Sequence, residues 1–163
     1  HRQWLTALAW SLLLLVPPII AALGVIVMPF VSAEPMATAQ PARAIGRFFG
    51  ETFERRTGQK LAIVTGDPRL ATLVALGARS RPSFFLDSAP ERTPWVTPED
   101  VRAKGAIVVW QATDTAGAPP AEIQARFPGL VPELPRAFNY AIQGRLPLLR
   151  IGWAMVRPQP QSQ

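Results

Sequence analysis

Leu61-Ala62-Ile63-Val64-Thr65-Gly66-Asp67-Pro68-Arg69 is the stretch from which the fold can be read. Its first five residues are apolar apart from Thr65 and show no polar alternation, which describes a strand buried on both faces. Gly66 then breaks the run. Asp67 and Pro68 make a helix start: a carboxylate that can accept from the amides of the next turn, then a proline whose missing N–H has no partner in a first turn anyway. The helix predicted from there runs through Ala78 with Leu70, Leu73, Val74 and Leu76 as its apolar positions. A strand feeding directly into a helix is half of a β-α-β unit, so a parallel sheet with right-handed crossovers is expected.

The alternation continues downstream. Ser83-Phe84-Phe85-Leu86 predicts a second strand ending at Asp87, and a loop from Ser88 to Val96 carries Pro90, Arg92, Pro94 and Trp95. Thr97-Pro98-Glu99-Asp100 is another helix start, with Thr97 as cap and acids in the first turn, where the helix dipole favours them. That helix ends at Gly105, and Ala106-Ile107-Val108-Val109-Trp110 is the clearest strand of the chain. A loop holding Thr113, Asp114 and Gly117 leads to Pro119-Pro120 and a helix to about Phe127, stopped by Pro128-Gly129. Arg136 to Gln143 and Leu149 to Val156 predict an antiparallel pair at a sheet edge, with Gly144, Arg145 and Pro147 between them. The expected fold class is therefore α/β, a small three-layer domain with a mainly parallel sheet and an antiparallel C-terminal extension. It occupies 42–157, and 158–163 form a polar tail.

Upstream, Pro41 suits the first turn of a helix running to about Thr57. Ile45, Phe48, Phe49, Thr52 and Phe53 recur at helical spacing on one face, and Gly58 stops it. The aromatic face reads as core. Residues 34–41 are small or polar and read as a linker. Before them, Trp4 to Val31 is an apolar run of 28 residues without a charge. About 20 residues suffice to cross the hydrocarbon of a bilayer, so 1–33 are read as a transmembrane helix. Pro17 and Pro18 fall in its middle and are expected to kink or split it, a break that lipid tolerates only where neighbouring protein satisfies the freed carbonyls. Val31-Ser32-Ala33 resembles a signal-cleavage site, but the run is about twice the usual apolar core of a signal peptide. Arg2 on one flank and Glu34 on the other place the domain outside the cytoplasm by the positive-inside rule.

The chain of 163 residues carries 17 Lys and Arg against 11 Asp and Glu, a net charge of +6, with only Arg2 ahead of the apolar run. These charges are interspersed, as on a solvated basic surface, and also suit attraction to anionic headgroups or a phosphorylated ligand. Nucleic acid is not an expected partner beside a membrane anchor. Cysteine is absent and the only histidine is His1, which removes thiolate chemistry, His-based zinc sites and Ser-His-Asp triads from this segment. No catalytic residue, metal site or cofactor is assigned. The chain opens on His1 rather than Met and is read as the tail of something longer.

In a parallel α/β sheet, ligands bind beyond the carboxyl ends of the strands. Asp67, Asp87 and Asp114 fall there and could hold a divalent cation or act as acid and base. Asp67 is equally explained as a helix cap, and the other two as ordinary loop acids. Arg69, Arg81 and Arg92 could meet at the same edge and grip a phosphate. Trp95 could stack on a sugar or a polyprenyl chain, as could Trp110 and Trp153, although tryptophans beside strands are commonly core. The candidate ligand-binding set is thus Asp67, Arg69, Asp87, Arg92, Trp95 and Asp114. Thr65-Gly66-Asp67-Pro68 has neither a G-x-G-x-x-G pattern nor a Walker lysine, so nucleotide binding there is not expected.

The apolar run followed by Phe48-Phe49-Gly50-Glu51-Thr52-Phe53-Glu54-Arg55-Arg56-Thr57-Gly58, Thr65-Gly66-Asp67-Pro68-Arg69 and Glu91-Arg92-Thr93-Pro94-Trp95 carries a resemblance. Lys104-Gly105-Ala106-Ile107-Val108-Val109-Trp110, Phe127-Pro128 and Leu146-Pro147-Leu148-Leu149-Arg150-Ile151-Gly152-Trp153 extend it over nearly the whole chain. The layout resembles the C-terminal end of bacterial polytopic membrane glycosyltransferases related to the aminoarabinose and protein-mannosyl transferases. The resemblance implies an inner-membrane enzyme that takes a sugar from a polyprenyl-phosphate donor on the periplasmic side. In that family the catalytic acid lies in the first outer loop and the donor phosphate is met inside the helical bundle, so no catalytic residue carries over. It implies the last helix of a bundle, with upstream transmembrane helices and the lipid bilayer as partners, plus an accessory periplasmic domain whose expected contacts are the polyprenyl-phosphate sugar, a lipid or envelope acceptor, or lipid headgroups. The other reading is a single-span protein whose periplasmic domain binds a partner without enzymatic activity.

Overall fold

The computed structural model describes residues 2–32, 40–86, 89–140 and 144–159. It divides into two compact units, one of residues 1–39 with 140–147 and the other of 40–139 with 148–163. In the first, α1 (Arg2–Val31) is helical throughout, so Pro17 and Pro18 do not divide it as the sequence had suggested. Its span Gln3–Met28 has a mean hydropathy of 2.6 and none of it is buried. It is the one helix among the described residues long and apolar enough to cross a membrane, and a signal sequence has the same look.

The second unit is built on a five-stranded sheet of order β2-β1-β3-β5-β4. β1 (Ile63–Gly66) is buried at every position, as its unbroken apolar run dictates. It pairs in parallel with β2 (Ser83–Phe85) on one side and with β3 (Ala106–Gln111) on the other. β5 (Leu149–Val156) runs antiparallel beside β3, and β4 (Pro132–Phe138) lies antiparallel outside β5. The sheet is mixed, two parallel pairings against two antiparallel, rather than mainly parallel. β4 also begins four residues earlier than expected. Pro132 and Pro135 would interrupt an inner strand, yet an edge strand needs no donor on its outer side, and a register shift between Glu133 and Arg136 absorbs the misfit. The remaining residues expected in this strand, 141–143, lie outside the described set.

The helices occupy the predicted places. α2 (Ala42–Thr57) starts one residue later than expected, with Pro41 at the cap position, and ends at Gly58, whose φ of 72° closes it in the left-handed region. Ile45, Phe49 and Phe53 are fully buried, and Phe49 meets Trp153 edge to face at 5.5 Å between ring centres. α3 (Pro68–Gly77) crosses α2 with the backbones nearly touching, because a Cβ on Gly46 would overlap the main chain of Gly77 and Ala78. On β3, Val108 and Trp110 pack with Ile123 of α5 (Ala121–Arg126) and Ala154 of β5. Ala106 packs with Ile63, Phe85 and Val101, the last from α4 (Pro98–Lys104). Gly152 lies opposite Trp110 in the register, and a Cβ there would overlap the indole. That indole donates to the carbonyl of Gly117 at 3.2 Å.

Candidate functional site

The carboxyl edge of β1, β2 and β3 is where the sequence placed its ligand set, and the topology does bring Asp67 and Asp114 to that edge. Each is occupied locally. Asp67 caps α3, its Oδ1 accepting from the backbone N–H of Arg69 at 2.9 Å and of Leu70 at 3.0 Å. Asp114 accepts from the N–H of Gly117 at 2.8 Å and closes the turn that presents the Gly117 carbonyl to Trp110. Arg69 is exposed in the first turn of α3. Arg92 ends a single 3-10 turn, Pro90–Arg92, and Trp95 stands two-thirds exposed just beyond it, 66 %. Thr93 is buried in that connection, and its Oγ1 accepts from the N–H of Leu86 at 3.2 Å and ties the loop to the end of β2. Asp87 lies outside the described residues. Apart from the Asp67–Arg69 backbone bond, no hydrogen bond or ion pair joins two members of this set among the described residues. No group of three metal-ligating side chains occurs among them either.

A further concavity lies toward the opposite end of β3 and also reaches Phe85 at the end of β2 and Pro90 beyond it. Antiparallel pairing places Val156, the last residue of β5, against Ala106, the first of β3. Around that corner is a cavity of about 900 Å³, with Val101 and Arg102 from α4, Arg126 to Val131 after α5, Glu133 of β4, and Met155 to Arg157 of β5 in its wall. Val101 is buried, while Phe127, Leu130, Met155 and Val156 are only half-buried, so apolar surface is left uncovered. Val131 is 76 % exposed at the mouth.

Four arginines line this cavity against one glutamate: Arg56, Arg102, Arg126 and Arg157 against Glu133. Arg56 is spoken for, since it pairs with Glu133 and its guanidinium lies over the Trp153 ring at 5.4 Å. Arg102 pairs with Glu99 at 2.7 Å, both side chains well over half exposed, and such a pair is worth little in water. Arg157 makes no ion pair among the described residues. Away from the cavity, Asp100 holds its carboxyl below the usual range because Lys104 Nζ bonds it at 2.8 Å and because it completes the Thr97 capping box.

The arginine-lined cavity escaped the sequence reading because its members are spread from residue 56 to residue 157. One signal was present. Arg56, Arg102 and Arg126 each occupy the last turn of a helix, where cations are favoured, and in an α/β unit helices run back against the strands, so their C-terminal turns collect at one end of the sheet. Compared with known protein families, with curated proteins and with solved structures, the chain matches none.

Proposed function

We propose that this chain anchors an accessory α/β domain at a bacterial inner membrane, with the domain on the periplasmic side. On this reading it is the last transmembrane helix and tail domain of a glycosyltransferase that uses a polyprenyl-phosphate-linked sugar, with the catalytic residues upstream. The domain then acts by binding, its sheet the middle of three layers between α2 with α3 and α4 with α5.

One observation carries the reading. α1 is apolar all round, with Leu5, Leu13, Ile20 and Val27 all exposed, and it continues through Pro17 and Pro18. Those prolines have no N–H, so the carbonyls of Leu13 and Leu14 lose their helical donors in the middle of the span. In hydrocarbon such groups call for donors from neighbouring helices. Neighbouring helices of a bundle are one source of such donors, and the one this reading takes. The resemblance to glycosyltransferase tails then names the kind of bundle.

The reading frame upstream of His1 tests this. About ten further apolar segments, with an acidic residue in the first outer loop, are expected. An initiator Met directly before residue 1, with no other span, would refute the bundle and leave the single-span binding protein. Sidedness is tested by placing single cysteines at Gln59 and Gln124, both exposed, in a chain with no cysteine of its own. An impermeant maleimide should label both in intact spheroplasts.

A further inference from the structure

We infer that the cavity between α4, the 126–131 segment and the end of β5 is a binding site for an anionic lipid, its hydrocarbon chain against Phe127, Leu130 and Val156 and its phosphate on Arg102 and Arg157. The apolar part follows from what the fold leaves uncovered. Phe127 and Val156 belong to the fringe of both core clusters on this face of the sheet, yet both are only half-buried, so the cavity continues the hydrophobic core outward. About 900 Å³ is room for an acyl chain and not merely for solvent. A purely apolar occupant would leave Arg157 without a counter-charge, and a small hydrophilic anion would leave the apolar wall wet. A ligand with both halves answers both.

The charge selects the headgroup. Arg56 is held by Glu133 and Arg102 only by its exposed pair with Glu99, while Arg157 makes no ion pair among the described residues, and a planar guanidinium suits two phosphate oxygens at once. Lipid is also the abundant amphiphile for a chain with an apolar helix long enough to cross a membrane. This goes beyond the anchoring reading and takes from it only that setting.

The test uses the full chain in a non-ionic detergent with a single reporter cysteine, Val131→Cys at the cavity mouth, and a control, Leu76→Cys, exposed on α3. Dioctanoyl phosphatidate is titrated and the rate of maleimide labelling followed. Labelling at position 131 should slow at least about five-fold while position 76 stays unchanged, and Arg157→Gln should weaken the effect about ten-fold, the loss of one charge-assisted contact. Equal protection by dioctanoylglycerol would show that the arginines contribute nothing, and equal protection by inorganic phosphate that the apolar wall contributes nothing; either overturns the proposal. So does equal slowing at position 76. Gln159→Cys, also on the cavity wall, replaces the reporter if Val131→Cys does not fold. Because the titration is done in detergent, it gives its answer even if the chain proves to be no part of a transmembrane bundle.

Discussion

Gly46 and Gly50 lie one turn apart on α2 and face the same neighbour, but replacing them with alanine should move stability in opposite directions. Helix propensity alone favours both changes, since alanine is better than glycine in a helix interior by about 1 kcal/mol. At Gly50 nothing opposes that gain. The new methyl would meet only the Ala78 side chain at 3.7 Å, an ordinary contact, so Gly50→Ala should stabilise by about 0.5–1 kcal/mol. At Gly46 the methyl would fall on the backbone of Gly77 and Ala78, and backbone cannot rotate out of the way. Either the helices separate and uncover the packing around Ile45, Phe49 and Val74, all fully buried, or α2 shifts along its axis. Overpacking of this kind costs about 1–3 kcal/mol or more, so the net change at Gly46→Ala is a loss of up to about 2 kcal/mol or beyond. For a domain of this size each kcal/mol moves the melting temperature by about 3–6 °C. Thermal unfolding followed by the fluorescence of Trp110 and Trp153, both buried in the domain, reads the two variants side by side. A Gly46→Ala chain that melts at or above the unsubstituted temperature would refute the close crossing of α2 and α3.

Asp67→Ala should lower stability by about 1 kcal/mol through loss of the cap on α3, and Asp67→Ser should restore most of it; full recovery by serine in a melting experiment marks the residue as a cap, and failure to recover points to a further role. Gly66 has a φ of 106° and a Cβ there would overlap the Val109 carbonyl, so Gly66→Ala should destabilise by more than about 1 kcal/mol, measured by urea unfolding. Asp100 contributes to pH dependence with a definite sign. Its folded pKa is depressed, first by Lys104 and then by Thr97, so its contribution is complete above the unfolded value of about 3.9 and is lost as pH falls through the lower folded value. Asp100→Asn should therefore flatten the acid limb of a melting temperature against pH profile below about pH 4, and an unchanged limb would show that the bonds to Asp100 do not form in solution.

The elements legible in the sequence were those defined by neighbours in the chain. The doubly buried strand, the Asp67-Pro68 and Thr97-Pro98 helix starts and the aromatic face of α2 all depend on contacts within a turn or a strand; the helix starts and the aromatic face stand where expected, and the strand read as Leu61 to Thr65 forms at Ile63–Gly66. Misreadings arose where a distant strand decides. Whether Pro132 and Pro135 can sit in a strand depends on their lying at an edge, and that is fixed only when β5 pairs with β3 and leaves β4 outermost. Pro17 and Pro18 were read by their local effect on hydrogen bonding, and the 30-residue helix is not split by them. At the carboxyl edge, Asp67 and Asp114 were located correctly as loop residues, and their bonds to Arg69, Leu70 and Gly117 are local again.

The gathering of arginines at the far edge raises a question of cause. Helix C-termini carry partial negative charge, and Arg56, Arg102 and Arg126 are each in a last turn, so three of the four cations could be there for their own helix alone. That account predicts nothing about a ligand. Arg157 is different, because it follows β5, has no helix end to answer, and still lines the same cavity. It also makes no ion pair among the described residues. If helix dipoles were the whole reason for the cluster, Arg157→Gln would leave stability and lipid protection alike untouched. If an anion is held at the rim, the same substitution weakens protection while the melting temperature stays within about 2 °C of the parent, since an unpaired surface cation contributes little to folding. Measured together on one variant, the two quantities separate a charge kept for the fold from a charge kept for a ligand.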